Sequence, residues 1–481
     1  MIPLTRGAVR SFLTVARWAS PNGGRAGFDP PVRIAAGADE VTLAVHYGSV
    51  VVGRRCPAVS GAGAEFVVPL TDLRALDGRG DGPIELTRTA PDVVAARWTD
   101  EAGPHETALP LLLGSPLVRP AESKKLWPVR PDLPTAFHEA GKTAARESPG
   151  RYATDHVQVR GRAGQVIATD GKQSLTLGGF VFPFADDLLV PAVPVFGSKD
   201  LGREPAVSVG LTKDWLFLIL GSWRAWLRIN RAGRFPDVAG AIPKGVTARV
   251  TFADAAADRL MADLPRLPGT DDDFRPVTLD LDAESVTVRS RDDESQRTAE
   301  LRLRDSTGTG PPTRLVLNRR HFGRALSVGC RELIVSAPGK PLVLRGSDRV
   351  YLTVPLDPTA AVLPAEPVER SVLPRSPELD RRPTMPARDV SPVEKNGRAD
   401  PPSPPADGFD PLAEAEELKA ALTEAAGRAA RLVAVLKTYK RERRSLQAAW
   451  SSLRALNLGP RGGPDDEACA GAVAAPGGHP R

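Results

Sequence analysis

The chain has 481 residues, 41% of them hydrophobic, and a formal net charge of +6. This length exceeds what one hydrophobic core supports, so several domains are expected, and the absence of any run of about 20 apolar residues excludes a conventional membrane span. The charge is compatible with a polyanionic partner, but a modest excess spread over the whole chain identifies none.

The N-terminal segment "MIPLTRGAVRSFLTVARWA" has arginines among its apolar positions, at Arg6, Arg10 and Arg17. This pattern predicts an amphipathic helix rather than a signal peptide. A cytoplasmic protein is therefore expected. The three cysteines, Cys56, Cys330 and Cys469, are widely separated, which indicates reduced thiols rather than a disulfide framework.

The first 357 residues repeat weakly three times. Each third opens with an amphipathic helix, continues with alternating strands, enters a second short helix from a strand, and ends with more strands. The opening helices are predicted in "LTRGAVRSFLTVARWA", "RPDLPTAFHEAGKTAAR" and "TFADAAADRLMADLP". A period of roughly 115 to 125 residues is too long for a solenoid and predicts three copies of one α+β domain, at 1–120, 128–244 and 245–357.

Beyond these thirds the composition changes twice. Residues 358–409 are crowded with proline and charge, which predicts a disordered linker. Residues 410–458 have an N-cap at Asp410 and a heptad pattern interrupted by Arg443, which predicts one long helix. That helix either self-associates as a coiled coil or docks on a partner or on its own chain. Residues 459–481 are expected to be a disordered tail.

Two short motifs lie in the middle third. "VIATDGKQSL" places Asp170-Gly171 after an apolar run, which is typical of a tight hairpin turn, although the same turn could form one wall of a site. About 65 residues later, "RINRAGRFPDVAGAIP" ends a strand with a Phe-Pro-Asp turn. Neither motif is specific alone.

The pair at this spacing, inside a threefold α+β repeat that closes with "YLTVPL", resembles the bacterial DNA polymerase III beta subunit, the DNA sliding clamp. The resemblance implies three tandem clamp domains per chain, with helices lining a channel and antiparallel sheets outside. It also implies a homodimeric ring that encircles duplex DNA without sequence preference. Its partners would be DNA polymerase, the clamp loader and repair factors, which bind through short linear peptides.

The resemblance places a peptide-binding cleft between the second and third domains. Its residues are expected to be Thr154, Thr169, Gly171, Lys172, Leu175, Pro236, Ala241, Phe274, Pro341, Leu352, Val354, Pro355 and Leu356. These are mostly small or apolar residues with a few polar ones, as peptide-anchor pockets require. By the same resemblance, Arg25, Arg151 and Tyr152 are expected to contact DNA.

The sequence also departs from the family. Lys172, Gln173 and Ser174 follow "ATDG" where the family has His-Arg-Leu, and Val238, Ala239 and Gly240 replace an aromatic and two basic residues that face the channel. Pro191, Ala192 and Val193 stand where Pro-Arg-Lys is common. An alternative function is therefore a clamp-fold interaction scaffold that does not encircle DNA and oligomerises or tethers partners through its C-terminal helix.

No catalytic motif is apparent. The six histidines are scattered, and no nucleotide-binding, metalloprotease or nucleophile-elbow motif is present. The aspartates of "TDDDF", Asp271 to Asp273, could bind a metal, but the pattern favours a solvated loop. A non-enzymatic protein with no cofactor and no metal is expected.

Overall fold

The computed structural model describes residues 2–364, except 21–27, 58–62, 79, 115–116, 118–119, 149, 203–205, 270–274, 283–284, 293–296 and 304. These residues form antiparallel sheets and a few short helices, as the α+β prediction requires. The predicted C-terminal helix, the tail and most of the linker lie outside the described residues.

The same order of elements occurs three times, with one additional short strand in the third repeat. The first repeat comprises β1 (Ile2–Thr5), α1 (Arg6–Ala16), β2 (Pro31–Ala36), β3 (Glu40–His46), β4 (Val50–Pro57), β5 (Glu65–Pro69), α2 (Leu70–Leu73), β6 (Pro83–Ala90), β7 (Val93–Asp100) and β8 (Gly103–Pro110). The second repeat comprises β9 (Trp127–Val129), α3 (Leu133–Thr143), β10 (His156–Arg160), β11 (Gln165–Thr169), β12 (Gln173–Leu177), β13 (Asp187–Pro191), α4 (Lys199–Gly202), β14 (Val207–Leu211), β15 (Trp215–Leu220) and β16 (Trp223–Arg228). The third repeat comprises β17 (Ala248–Thr251), α5 (Asp254–Asp263), β18 (Pro276–Leu281), β19 (Val286–Arg291), β20 (Thr298–Leu303), β21 (Thr307–Thr309), β22 (Thr313–Asn318), α6 (Arg319–Ser327), β23 (Glu332–Val335), β24 (Leu342–Arg345) and β25 (Arg349–Thr353). Short 3-10 turns lie at Arg74–Leu76, Pro194–Gly197, Leu264–Arg266 and Pro358–Ala360.

The strands form four sheets, two of which cross from one repeat to the next. The eight-stranded sheet has the order β5-β2-β3-β4-β16-β15-β14-β9, and the nine-stranded sheet has the order β13-β10-β11-β12-β25-β24-β23-β17-β21. The four-stranded sheets are β1-β6-β7-β8 and β20-β19-β18-β22. Strand pairing therefore joins the first repeat to the second and the second to the third.

The two junctions between repeats are built alike. Val51 of β4 lies opposite Trp226 of β16, and Ser174 of β12 lies opposite Leu352 of β25. Just past each pairing, the Arg228 amide donates to the Ser49 carbonyl at 2.8 Å, and the Val354 amide donates to the Lys172 carbonyl at 3.2 Å. We call these the first junction and the second junction.

Local sequence explains where the helices begin. The Thr5 hydroxyl accepts from the Ala8 amide at 3.1 Å and caps α1, whose Val9, Phe12 and Val15 are fully buried. The Asn318 side chain accepts from the Arg320 amide at 2.9 Å and caps α6 in the same way. Each helix thus buries one apolar stripe against the sheets.

Side chains also connect helices of neighbouring repeats. Ser11 of α1 lies 3.5 Å from Asp200 of α4, measured from hydroxyl to carboxylate. Arg324 of α6 forms an ion pair with Glu139 of α3 and donates to its backbone carbonyl at 2.8 Å. The helices therefore contact one another across both junctions.

Two local predictions differ from the structure. A short strand (β1, β9 or β17) precedes the opening helix of every repeat, and it was not predicted because three or four residues are too few to show a period. The second helix of the middle repeat is split, since Pro194 begins a 3-10 turn that ends at Gly197 before α4.

Candidate functional site

The hairpin between β11 and β12 is a tight turn, as its sequence predicts. The Asp170 carboxylate accepts from the amides of Lys172 at 2.8 Å and Gln173 at 2.9 Å, and Gly171 has a φ of 87°. That φ suits glycine because a Cβ would clash with the backbone. The turn holds Lys172 at the edge of the second junction.

A buried polar network crosses the second junction. The Tyr351 hydroxyl of β25 donates to the Gln173 side-chain oxygen of β12, and the Gln173 amide nitrogen donates to Asp170 at 2.8 Å. Tyr351 is fully buried, and this burial raises the pKa of its phenol, which stays protonated. The network fixes the hairpin against the third repeat.

His321 of α6 is a polar residue at this junction that the sequence analysis did not select. Its Nδ1 lies 3.0 Å from the Thr353 hydroxyl. Burial lowers the pKa of His321. The Asp170 carboxylate raises this pKa and the Lys172 ammonium lowers it, and the net shift is downward. The imidazole is therefore neutral at pH 7. The sequence signal that could have identified His321 is its position three residues after Asn318, where strand β22 ends.

The segment that links the second repeat to the third covers one face of the sheet at the second junction. Phe235, Val238 and Ile242 pack with a cluster formed by Ile167, Ile334, Val343, Val350 and Leu352. Val238 is one of the residues that replace the family's channel-facing side chains, and here it is buried in this cluster. The "FPDVAGAIP" motif thus supplies an apolar cover.

The predicted cleft residues divide by exposure. Thr154, Thr169, Leu175 and Leu352 are buried; Pro236, Pro341, Pro355 and Leu356 are partly exposed; Gly171, Lys172, Ala241 and Val354 are exposed. Phe274 lies outside the described residues. Leu175 is fully buried opposite Tyr351, so it supports the sheet and offers no surface. The accessible apolar group beside Lys172 is Val354, which is 48% exposed.

Arg151 and Tyr152, which the resemblance assigned to DNA, line a separate pocket of about 490 Å³. The Arg151 guanidinium carbon lies 5.6 Å from the centroid of the Tyr152 ring. Arg234 and His156 line the same pocket. Both predicted residues are thus exposed on one loop, while Arg25 lies outside the described residues.

A hydrogen-bonded cluster lies among the residues that line this pocket. Asp155 accepts from the Ser148 hydroxyl and lies 2.7 Å from His156 Nδ1, and His156 Nε2 lies 3.3 Å from the Asn230 amide nitrogen. Burial would raise the pKa of Asp155, but these hydrogen bonds outweigh it, and the net pKa is lowered. Because Ser148 bonds to the aspartate and not to the histidine, the cluster lacks the connectivity of a catalytic triad.

Two arginines of α1 are engaged within their own repeat. Arg6 forms an ion pair with Asp100 at 2.8 Å, and Arg10 forms one with Asp77 at 3.1 Å. Within the described part of the chain, no three metal-ligating side chains converge, and no helix is long and apolar enough to span a membrane. The aspartates of "TDDDF" fall outside that part.

Three repeats of this element order, joined edge to edge through their sheets, define the DNA sliding-clamp fold. The chain is similar to the DNA polymerase III subunit beta of Pseudomonas aeruginosa, with a TM-score of 0.61, 16% identity, and coverage of 74% of this chain and 99% of that one. A structure of that clamp bound to griselimycin matches equally well. The DNA polymerase III subunit beta of Borrelia burgdorferi, in complex with a natural product, also has a TM-score of 0.61, at 12% identity and 97% coverage of its chain.

No protein-family model matches the sequence, and no curated protein matches it. The likeness is therefore one of fold, and it confirms the clamp architecture expected from the sequence.

Proposed function

We propose that this chain is a sliding-clamp-like processivity factor, in which two copies close a ring around duplex DNA. The supporting observation is the rule by which its repeats join. At both junctions, the third strand after the opening helix pairs with the last strand of the next repeat: β4 with β16, and β12 with β25. We take the three repeats as domains at 1–120, 128–244 and 245–357.

The rule leaves one strand of each kind without a pairing partner from another repeat. In the third repeat this strand is β20, and in the first repeat it is β8; both are edges of four-stranded sheets. An uncovered sheet edge is a template for pairing with another chain. A second copy would supply β8 to β20 and β20 to β8, and the two contacts would close a ring of six repeats.

A ring of this kind needs no catalytic group, because a topological link replaces tight binding. In this proposal the protein is a non-enzymatic, cofactor-free accessory subunit of a DNA polymerase in the cytoplasm. The polymerase, the clamp loader and repair factors would insert peptides beside Val354 and Lys172 at the second junction. The first junction differs from this site. Arg228 takes the position that corresponds to Val354, and the stacked rings of Phe217 and Trp226, with centroids 4.9 Å apart, cover the sheet there.

The second candidate is a scaffold that does not encircle DNA and oligomerises through residues 410–458. The heptad pattern of that segment favours it, as do Ala192, Val193, Ala239 and Gly240, which stand where the family has basic channel residues. The two candidates differ in which part of the chain forms the dimer contact.

Light scattering over a dilution series, combined with hydrogen exchange, separates them. If the protein forms a ring, the full chain is a dimer. Dilution to monomer then lowers the protection of the β8 and β20 amides from hydrogen exchange, but not that of the control edge strand β5. The variant Leu436→Pro, which breaks the heptad segment, stays dimeric. A dimer that dissociates in Leu436→Pro, with β8 and β20 unchanged on dilution, supports the scaffold and excludes the ring.

A further inference from the structure

The chain does not leave the third repeat at its last strand. After β25, the Leu356 amide donates to the Val316 carbonyl of β22 at 2.8 Å, and the Val362 amide donates to the Thr278 hydroxyl of β18 at 2.8 Å. The 3-10 turn Pro358–Ala360 lies between these two anchors. Residues 356–362 therefore cross one face of the sheet β20-β19-β18-β22, and we call them the C-terminal strap.

The strap covers the face of this sheet that points away from the main core. Val277, Leu279 and Leu317 belong to that core, whereas Thr278 and Val316, which alternate with them, lie on the opposite face. Both are nonetheless buried, with exposed fractions of 1% and 3%. The strap therefore supplies a cover that the sheet itself does not have.

The strap runs toward the sheet edge that the ring would use. Cross-strand pairing forms one row from β22 to β20, in the order Val316, Thr278, Arg289 and Glu300. The strap is anchored at the first two positions of this row, in that order along the chain. Its continuation is therefore directed over β19 to the edge strand β20.

The sheet on the other side of the proposed β8–β20 contact has an open face. Glu85, Arg97 and Glu106 form a cross-strand row on β6, β7 and β8, and all three are exposed. Arg97 pairs with Glu106 at 3.0 Å, whereas Glu85 forms none of the ion pairs found among the described residues. The row therefore has an excess of negative charge.

We propose that residues 370–377 of one copy cross the β8–β20 contact and dock on this open face of the second copy. The inference rests on the proposed function, because the ring is what brings β8 of one copy beside β20 of the other. The two sheets would then present continuous faces, since each buries its opposite face in its own core. The partner that this surface fits is a second copy of this chain.

The chemistry of the segment matches the open face. Its sequence, "RSVLPRSP", has Arg370 and Arg375 on either side of Val372-Leu373 and contains no acidic residue. An arginine of the segment is complementary to Glu85. The apolar pair fits the row next to the carboxylates, which has only small side chains, at Thr87, Ala95 and Ala108. Within its own chain, Asp280 and Glu300 are already paired with Arg289.

The length of the chain permits this path. Neighbouring strands lie about 4.8 Å apart, so the distance from β18 across β19, β20 and β8 of the second copy to its β7 is about 19 Å. Arg370 follows Val362 by eight residues. An extended chain spans about 3.3 Å per residue, which gives a reach of about 26 Å. The segment therefore reaches the open face while following the sheet surface.

The test replaces Leu373 of the full chain with the photo-reactive residue p-benzoylphenylalanine. This protein is mixed with isotope-labelled wild type under conditions that allow the two to exchange subunits, irradiated, and analysed by mass spectrometry. Crosslinks to isotope-labelled peptides of β6, β7 and β8 are expected. The same replacement at Val390, which lies in the linker beyond the segment, is the matched control and should give none.

Charge reversal tests the contact by a second route. Reversing both arginines of the segment to glutamate is expected to raise the dimer dissociation constant about fivefold in the light-scattering dilution series, and Glu85→Arg should act in the same direction. The combination of the three changes should recover part of the loss. Arg388→Glu, in the linker outside the segment, is the control and should leave the constant unchanged.

The failure of this docking is distinguishable from the failure of the ring. In a dimer whose β8 and β20 amides gain protection, crosslinks within one chain, crosslinks to other parts of the second copy, or no crosslinks overturn the docking and leave the ring intact. The same holds if the charge reversals change nothing. A chain that stays monomeric overturns both.

Discussion

The ion pair between Arg324 and Glu139 is predicted to hold the helical side of the second junction. Both side chains are about one-fifth exposed, at 20% and 22%. In Arg324→Gln, Glu139 keeps only Lys142, whose ammonium lies 3.3 Å away. Breaking a buried pair costs about 3 to 5 kcal/mol, and the partial exposure together with Lys142 reduces this to about 2 kcal/mol.

The pH dependence has a definite sign. Burial would raise the pKa of Glu139, but Arg324 and Lys142 outweigh it, so the folded-state pKa lies below its ordinary value. A depressed carboxyl pKa stabilises the fold above the unfolded value of about 4.3, and this stabilisation is lost as the pH falls through the folded pKa. The difference between the wild type and Arg324→Gln should therefore shrink below about pH 4.

The assay is native-state hydrogen exchange of the β12 and β25 amides, because a chain of several domains has no single unfolding free energy. Arg324→Gln should lower the local opening energy by about 2 kcal/mol, which corresponds to about 30-fold faster exchange. The double variant with Glu139→Gln should lose less local opening free energy than the sum of the losses in the two single variants. Unchanged exchange, or strict additivity, would refute the reasoning; Arg345→Gln is the control.

Three further outcomes are expected at or near the second junction. Gly171→Ala should lower the local opening free energy of the β11–β12 hairpin by about 1 kcal/mol in native-state hydrogen exchange, because its φ of 87° favours glycine; a neutral effect would mean that the turn relaxes. Tyr351→Phe should lower the local opening free energy of β12 and β25 by about 1 kcal/mol through the lost hydrogen bond to Gln173, and unchanged exchange would contradict that bond. Burial raises the pKa of Cys330 to about 12, so at pH 8 iodoacetamide should label it only after unfolding; mass spectrometry showing rapid native labelling would argue against its burial.

Elements with a strong local signal could be predicted from the sequence. The opening helices follow from the apolar period, as the buried Val9 and Phe12 of α1 illustrate. The hairpin at Asp170-Gly171 follows from turn chemistry alone. The order and spacing of such elements predict three α+β domains, and the clamp fold came from the family resemblance carried by the "ATDG" and "FPD" motifs within that repeat.

The junctions could not be predicted because pairing between repeats is non-local. Nothing near Val51 indicates that Trp226 lies opposite it. For the same reason, the exposure of the candidate site residues could not be predicted. Leu175 of β12 is buried opposite Tyr351 of β25, whereas Lys172, in the turn before β12, is accessible.

The polar residues that the sequence analysis passed over lie where distant segments meet. The side chain of His321 lies within hydrogen-bond distance of Thr353, and that of Arg319 donates to the carbonyls of Leu267 and Pro268. In the sequence both are ordinary members of an amphipathic helix. Only the fold shows that arginines of α6 share one cavity with Arg275.

Retention on DNA of different topology tests the central claim most directly. The full chain is loaded onto nicked circular DNA, separated from free protein at moderate salt, and then released by cutting the circle once. A ring predicts retention on the circle and rapid loss from the cut DNA, since the protein slides off the ends. Equal retention on circular and linear DNA, or on neither, would contradict the account.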